Sequence, residues 1–211
     1  MKIKLIIMSS LFILNGCQVT APLMKNNITF VVGPSDFEHS FVFKNNWPLC
    51  GNFYDSDGNM PVKRKTKYLT TDNTCKVEPE GYVPEQIIIE YAPWLTYEER
   101  VKAGLGNTRS FFHLDELSRD KWPSDEVLHA YADDVARKIM TTIDNLPSTA
   151  WKRIVLTPPK EVEKYRYQVP EGKGNARRGK EIHYTISLKP DGSSSIETKL
   201  YWVQKYQLNW N

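Results

Sequence analysis

The chain has 211 residues with 40% hydrophobic, 12% aromatic and 25% charged side chains, ample for one ordinary globular domain and unlike a disordered composition. Formal net charge is +3, and setting aside Lys2 and Lys4 leaves 26 basic against 25 acidic residues, so the charge gives no support for nucleic-acid binding. A mean hydropathy of −0.51 excludes a polytopic membrane protein.

Residues 1–4 form a short positive stretch, and residues 5–14 are apolar or small. That run is too short for a mature membrane span but suits the core of a secretory signal. It ends in Leu14-Asn15-Gly16-Cys17. Here the chain resembles bacterial lipoprotein precursors, whose lipobox has Leu three before the cysteine and a small residue just before it. Leu14, Gly16 and Cys17 match, while Asn15 is bulkier than the usual occupant. The resemblance implies a signal peptide over 1–16, diacylglycerol on the Cys17 sulfur, and a fatty acid such as palmitate on its new amino group. The polar stretch after Cys17 reads as a tether over 17–27, and with no repeat or linker beyond it 28–211 is expected to be a single globular domain. Several acyl chains hold a protein firmly, where one binds only marginally. Gln18 stands where lipoproteins kept in the inner membrane carry Asp, so the implied address is the outer membrane; the expected orientation, which Gln18 does not encode, faces the periplasm. The competing readings are an ordinary cleaved signal with Cys17 in a disulfide, or an uncleaved, buried hydrophobic strand. With Cys17 assigned to lipid, Cys50 and Cys75 remain as an even pair in an oxidising compartment and are expected to bridge.

Along the mature chain, runs at 28–32, 39–44 and 86–91 are predicted strands. Residues 62–68 read as an edge strand with Lys63, Lys65 and Lys67 on one face. Thr96 with Glu99 fits a capping box opening a short helix that Gly104 and Gly106 end. Ser124, Asp125 and Glu126 open a long helix over about 124–145, with Leu128, Tyr131, Ala132, Val135, Ile139 and Ile143 as its apolar stripe. Strands are predicted at 151–157, 162–169, 182–189 and 195–204, the last two joined by the turn residues Pro190-Asp191-Gly192. The expected fold is α+β, with antiparallel sheet packed against the one long helix.

Chemistry-bearing motifs are sparse. Gly174 to Lys180 has the outline G-x-x-x-x-G-K of a phosphate loop, but Glu181 replaces the metal-binding hydroxyl and no helix follows, so no nucleotide is expected. Asp55, Asp57 and Asn59 sit in a turn whose glycine is misplaced for a calcium loop. His39, His113, His129 and His183 lie in four separate elements without metal spacing, so neither a metal nor a cofactor is expected. No serine elbow occurs, and the adjacent acids Glu98-Glu99, Asp115-Glu116 and Asp133-Asp134 need no catalytic explanation. Candidate binding residues are Arg177 and Arg178 of the basic loop, which suit an acidic partner or lipid headgroups, and Tyr206 and Trp210 of the aromatic C-terminus.

The expectation is a non-enzymatic, lipid-anchored binding module with a protein partner. On lipobox, size and lack of catalytic motifs it resembles accessory lipoproteins of envelope assemblies and immunity lipoproteins that neutralise phospholipase effectors of type VI secretion. That resemblance implies a steric plug over an effector's active site. Two other classes remain open: an envelope polysaccharide binder or hydrolase using an acid pair, and a structural lipoprotein with no specific ligand.

Overall fold

The computed structural model describes residues 24–47, 50, 67–70 and 73–203. Within them the chain forms a mixed α+β architecture with two four-stranded sheets. The strands are β1 (Asn26–Pro34), β2 (Ser40–Lys44), β3 (Tyr68–Leu69), β4 (Asn73–Lys76), β5 (Ile87–Trp94), β6 (Lys152–Leu156), β7 (Lys180–Leu188) and β8 (Ser194–Trp202). The helices are α1 (Tyr97–Lys102), α2 (Thr108–Phe111), α3 (Asp125–Asp144) and α4 (Pro158–Lys164), with short 3₁₀ turns between them.

One sheet has the order β4-β1-β7-β8 and the other β3-β2-β5-β6. All pairs are antiparallel except β1 with β7, which run parallel from Asn26 opposite Lys180 to Pro34 opposite Leu188. A parallel pair needs a long crossover, here nearly the whole chain, and the alternating strand patterns by themselves do not announce it. The two sheets meet through a single cluster: Ile28, Phe30 and Val32 of β1 and Ile182, Tyr184, Ile186 and Leu188 of β7 join Phe41, Phe43, Ile87, Ile89 and Tyr91 of the second sheet. The two-residue period of each strand puts these side chains on facing surfaces. Trp47 completes that layer edge-on to both Phe30 and Phe43.

The second sheet is buried on its other face too. Val42, Ala92 and Trp94 form a separate cluster with Ile143 of α3, backed by Ile139, Leu146 and Trp151. This explains why Phe41, Val42 and Phe43 are apolar without interruption: successive side chains enter opposite layers. Ser124 caps α3 by accepting from the Val127 amide, and Asp125 and Glu126 favour the positive end of its dipole. Only Val135 and Ile143 of its stripe are fully buried, whereas Ala132 is exposed. At the helix end, Asp144 accepts from Lys67 and, at 2.6 Å, from the Tyr68 hydroxyl, tying α3 to β3.

Two expectations change. Residues 162–169 do not form a strand; 158–164 form α4, because Pro158 and Pro159 preset helical φ at the first positions and Lys164 pairs with Glu161 one turn back. Of the edge strand expected at 62–68, only Tyr68 is found in a strand, with Lys67 in a bend, and 62–66 lie outside the described residues.

Cys50 and Cys75 are bonded with Cα atoms 5.0 Å apart, closing a separation of 25 residues. Replacing both by Ser is expected to lower the unfolding free energy by about 3.5 kcal/mol through loop-closure entropy, read by urea denaturation. The Lys67 hydrogen bond, and then that of Tyr68, hold the Asp144 carboxyl below the ordinary value of 3.8. Its stabilising contribution is therefore complete above about pH 4 and is lost as pH falls through the lowered value. Asp144→Asn should reduce Tm at neutral pH and match the parent in strong acid; an equal deficit at both would assign the loss to packing.

Candidate functional site

The nine residues of β1 separate two poles by roughly 26 Å. At the first, where the described chain begins, the Lys25 carbonyl accepts from the Lys180 amide at 2.9 Å. Lys180 is the first residue of β7 and shares the inward phase of Ile182, Tyr184, Ile186 and Leu188. It is 1% exposed. Its ammonium donates to the carbonyls of Tyr165, Arg166 (3.0 Å) and Gln168 (3.1 Å), just past the end of α4. Burial pushes its pKa down, while three carbonyl acceptors and the negative end of a helix favour the cation. The lysine of the phosphate-loop outline is thus occupied in holding the fold together.

The two glycines of that outline also have structural duties. Gly179 turns with φ +90°, and a Cβ there would fall 2.4 Å from the Lys25 oxygen. A Cβ on Gly174 would fall 2.0 Å from the Trp202 indole, whose Nε1 donates to the Gly172 carbonyl at 3.3 Å. Arg177 is exposed in this loop, and Arg178 is half-buried with one guanidinium nitrogen lacking a hydrogen-bond partner. The Glu80 carboxyl lies below the ordinary range, chiefly through its hydrogen bond from Lys76, with Arg178 and Lys25 adding attraction.

At the far pole β1 ends, β2 begins and β5 leads into α1. Two cavities open there, of about 380 and 430 Å³. Phe37, His39, Thr96 and Phe41 line the first, and Leu105, Tyr131 and Val135 the second; Tyr97 and Arg100 line both. The shared wall stands because the capping box forms as predicted: Thr96 accepts from the Glu99 amide and the Glu99 carboxylate accepts from the Thr96 amide at 2.8 Å. Arg100 lies over the Tyr97 ring, yet its Nε is buried and has no hydrogen-bond partner among the described residues. Tyr97 also hydrogen-bonds Ser110, Phe111 stacks on Tyr131 at 4.2 Å, and the Tyr131 hydroxyl donates to Gly106. Among the described residues neither cavity is lined by Asp or Glu; Asp36 lies beside the first through His39, whose Nδ1 is 2.7 Å from its carboxylate.

Cys17, Tyr206, Trp210 and the Asp55–Asn59 turn lie outside the described residues. Arg177 and Arg178 sit at the first pole, far from the cavities. The histidines stay dispersed, and among the described residues no three His, Cys, Asp or Glu side chains gather to hold a metal ion. The Tyr184 hydroxyl is buried without a partner, and burial raises its pKa further above the phenol range. Among the described residues no helix is long and apolar enough to cross a membrane.

Sequence reasoning missed Lys180 and Arg100. The two-residue alternation running back from Leu188 to Lys180 already marked that lysine as inward-facing. Nothing local marked Arg100, because its cavity is assembled from segments 60 residues apart in the chain.

No family model matches this chain, and no curated protein or solved structure is significantly similar to it. Lys180→Met is expected to destabilise the fold by about 2–4 kcal/mol, since one buried and two partly buried carbonyls lose a charged donor; urea denaturation reads the loss, and a change below about 1 kcal/mol would show that water replaces the ammonium.

Proposed function

We propose that this chain is a lipid-anchored envelope protein, held in the outer membrane through Cys17 and facing the periplasm, whose single domain over 28–211 binds another protein without catalysis. The observation that carries the binding half is Arg100: a cation whose buried Nε has no partner among the described residues, at the wall shared by two cavities with no Asp or Glu among their described lining residues. A group that donates only hydrogen bonds and sits beside exposed Phe37 and half-exposed Tyr97 suits a partner segment presenting a carboxylate flanked by apolar side chains. The groove lies at the pole remote from Lys25, so anchoring from the N-terminal side leaves it free for a second macromolecule. An immunity or inhibitor protein, which occludes the active site of a secreted effector, is the form of this reading the sequence favours.

The aromatic walls around Arg100, with no Asp or Glu among the described lining residues, favour recognition over the carboxylate-pair hydrolysis considered as the alternative. A photo-crosslinking amino acid placed at position 97, compared in cells with one at the exposed strand position 196 on β8, tests the proposal. A discrete protein adduct at 97, absent at 196 and lost when Arg100→Glu is added, is the expected result. No adduct at 97, or the same adducts at both positions, overturns it. Intact-mass spectrometry of the purified protein tests the anchor: the expected species begins at an acylated Cys17, and an unmodified cysteine refutes it.

A further inference from the structure

The first pole has a composition of its own. Residues 166–178 carry Arg166, Lys173, Arg177 and Arg178 against Glu171 alone, a denser positive charge than the chain as a whole. In the same stretch two large apolar side chains stand in water, Tyr167 at 84% exposure and Val169 at 63%. They are displayed by the fold: the Lys180 ammonium grips the carbonyls of Arg166 and Gln168, one on each side of Tyr167, and this leaves the ring pointing outward. Arg166 lies over the Tyr167 ring at 5.5 Å, an arrangement that keeps a cation beside the aromatic. Of the facing acids, Glu163 pairs with Arg166 and Glu80 with Lys76. Neither Lys173 nor Arg177 has an ion-pair partner among the described residues.

The segment also sits next to the start of the described chain, because Gly179 and Lys180 pack on the Lys25 carbonyl. Eight residue steps separate Lys25 from Cys17, and fully extended they reach no more than about 28 Å. An acylated Cys17 therefore keeps Lys25, at this pole, within about 28 Å of the bilayer surface. The combination of unpaired cations with an exposed tyrosine and valine suits the headgroup region, where anionic phosphates attract basic side chains and amphipathic aromatic rings settle.

We infer that residues 166–178 lie on the anionic phospholipid surface of the leaflet carrying the anchor, with Lys173 and Arg177 against lipid phosphates and Tyr167 and Val169 at the interface. This rests on the acylation of Cys17 proposed above. Contact at this pole orients the domain with the Arg100 groove turned away from the membrane.

Full-length acylated protein, reconstituted into vesicles of phosphatidylethanolamine and phosphatidylglycerol with spin-labelled quencher lipid, provides the test. Tyr167→Trp is compared with Phe37→Trp at the far pole, each corrected for the fluorescence of the parent. The expected result is quenching at 167 well above that at 37, weakened in wholly zwitterionic vesicles. Adding Lys173→Glu and Arg177→Glu is expected to shift the contact more than about tenfold against the surface, since each basic side chain contributes about fivefold. Equal quenching at both positions, or none at 167 in protein that floats with the vesicles, overturns the inference and leaves the anchor intact. Failure to float without detergent overturns both. Absence of quenching at 167, coupled with crosslinking of that position to a protein in cells, would assign the loop to an acidic protein partner instead.

Discussion

A buried ammonium has to find acceptors, and much of this structure is arranged around the three that Lys180 finds. The carbonyls of Tyr165, Arg166 and Gln168 stand just beyond α4, where the last turn of a helix leaves oxygens unpaired and the dipole is negative. One side chain thus ends a helix, starts a central strand and positions the loop between them. The neighbouring backbone hydrogen bond to Lys25 brings the beginning of β1 to the same point. The pin stands at the end of the parallel β1–β7 pairing and fixes the carbonyls on either side of the outward-facing Tyr167.

The second constraint is that one sheet is covered on both faces. Its inner surface meets the other sheet, and its outer surface meets α3 through Val42, Ala92, Trp94 and Ile143. Only the C-terminal half of α3 is needed for that seal. The N-terminal half leans out with Tyr131 against Phe111 and Phe112, and the space left between it and α1 becomes a cavity. Layer packing therefore generates the groove: a helix longer than the strand face it covers leaves an overhang lined by its own stripe. Arg100 enters that overhang from the short capped helix.

The two features divide the molecule by chemistry. One pole is basic and bears exposed side chains of interfacial character next to the N-terminal side; the other holds the two cavities, with aromatic side chains around Arg100. Such a division suits a protein held at a surface by one end and working with the other.

Much of the local structure was legible in the residues themselves. Thr96 with Glu99, Ser124 with two following acids, and the turn at 190–192 each carry their own hydrogen-bond or backbone logic, so each forms where its residue types stand. The pairing of Cys50 with Cys75 followed from parity once Cys17 was set aside. The stretch 162–169 misled because Tyr165 and Tyr167 alternate as strand residues do, while the two prolines that start a helix lie just before it. What only tertiary structure decided is everything that joins distant segments: the parallel pairing of β1 with β7, the two-sheet core, the Arg100 cavity and the carbonyls that Lys180 meets. Short-range periodicity says which way a side chain faces along its own strand, but not which strand lies beside it. That choice depends on how all the apolar faces are covered at once.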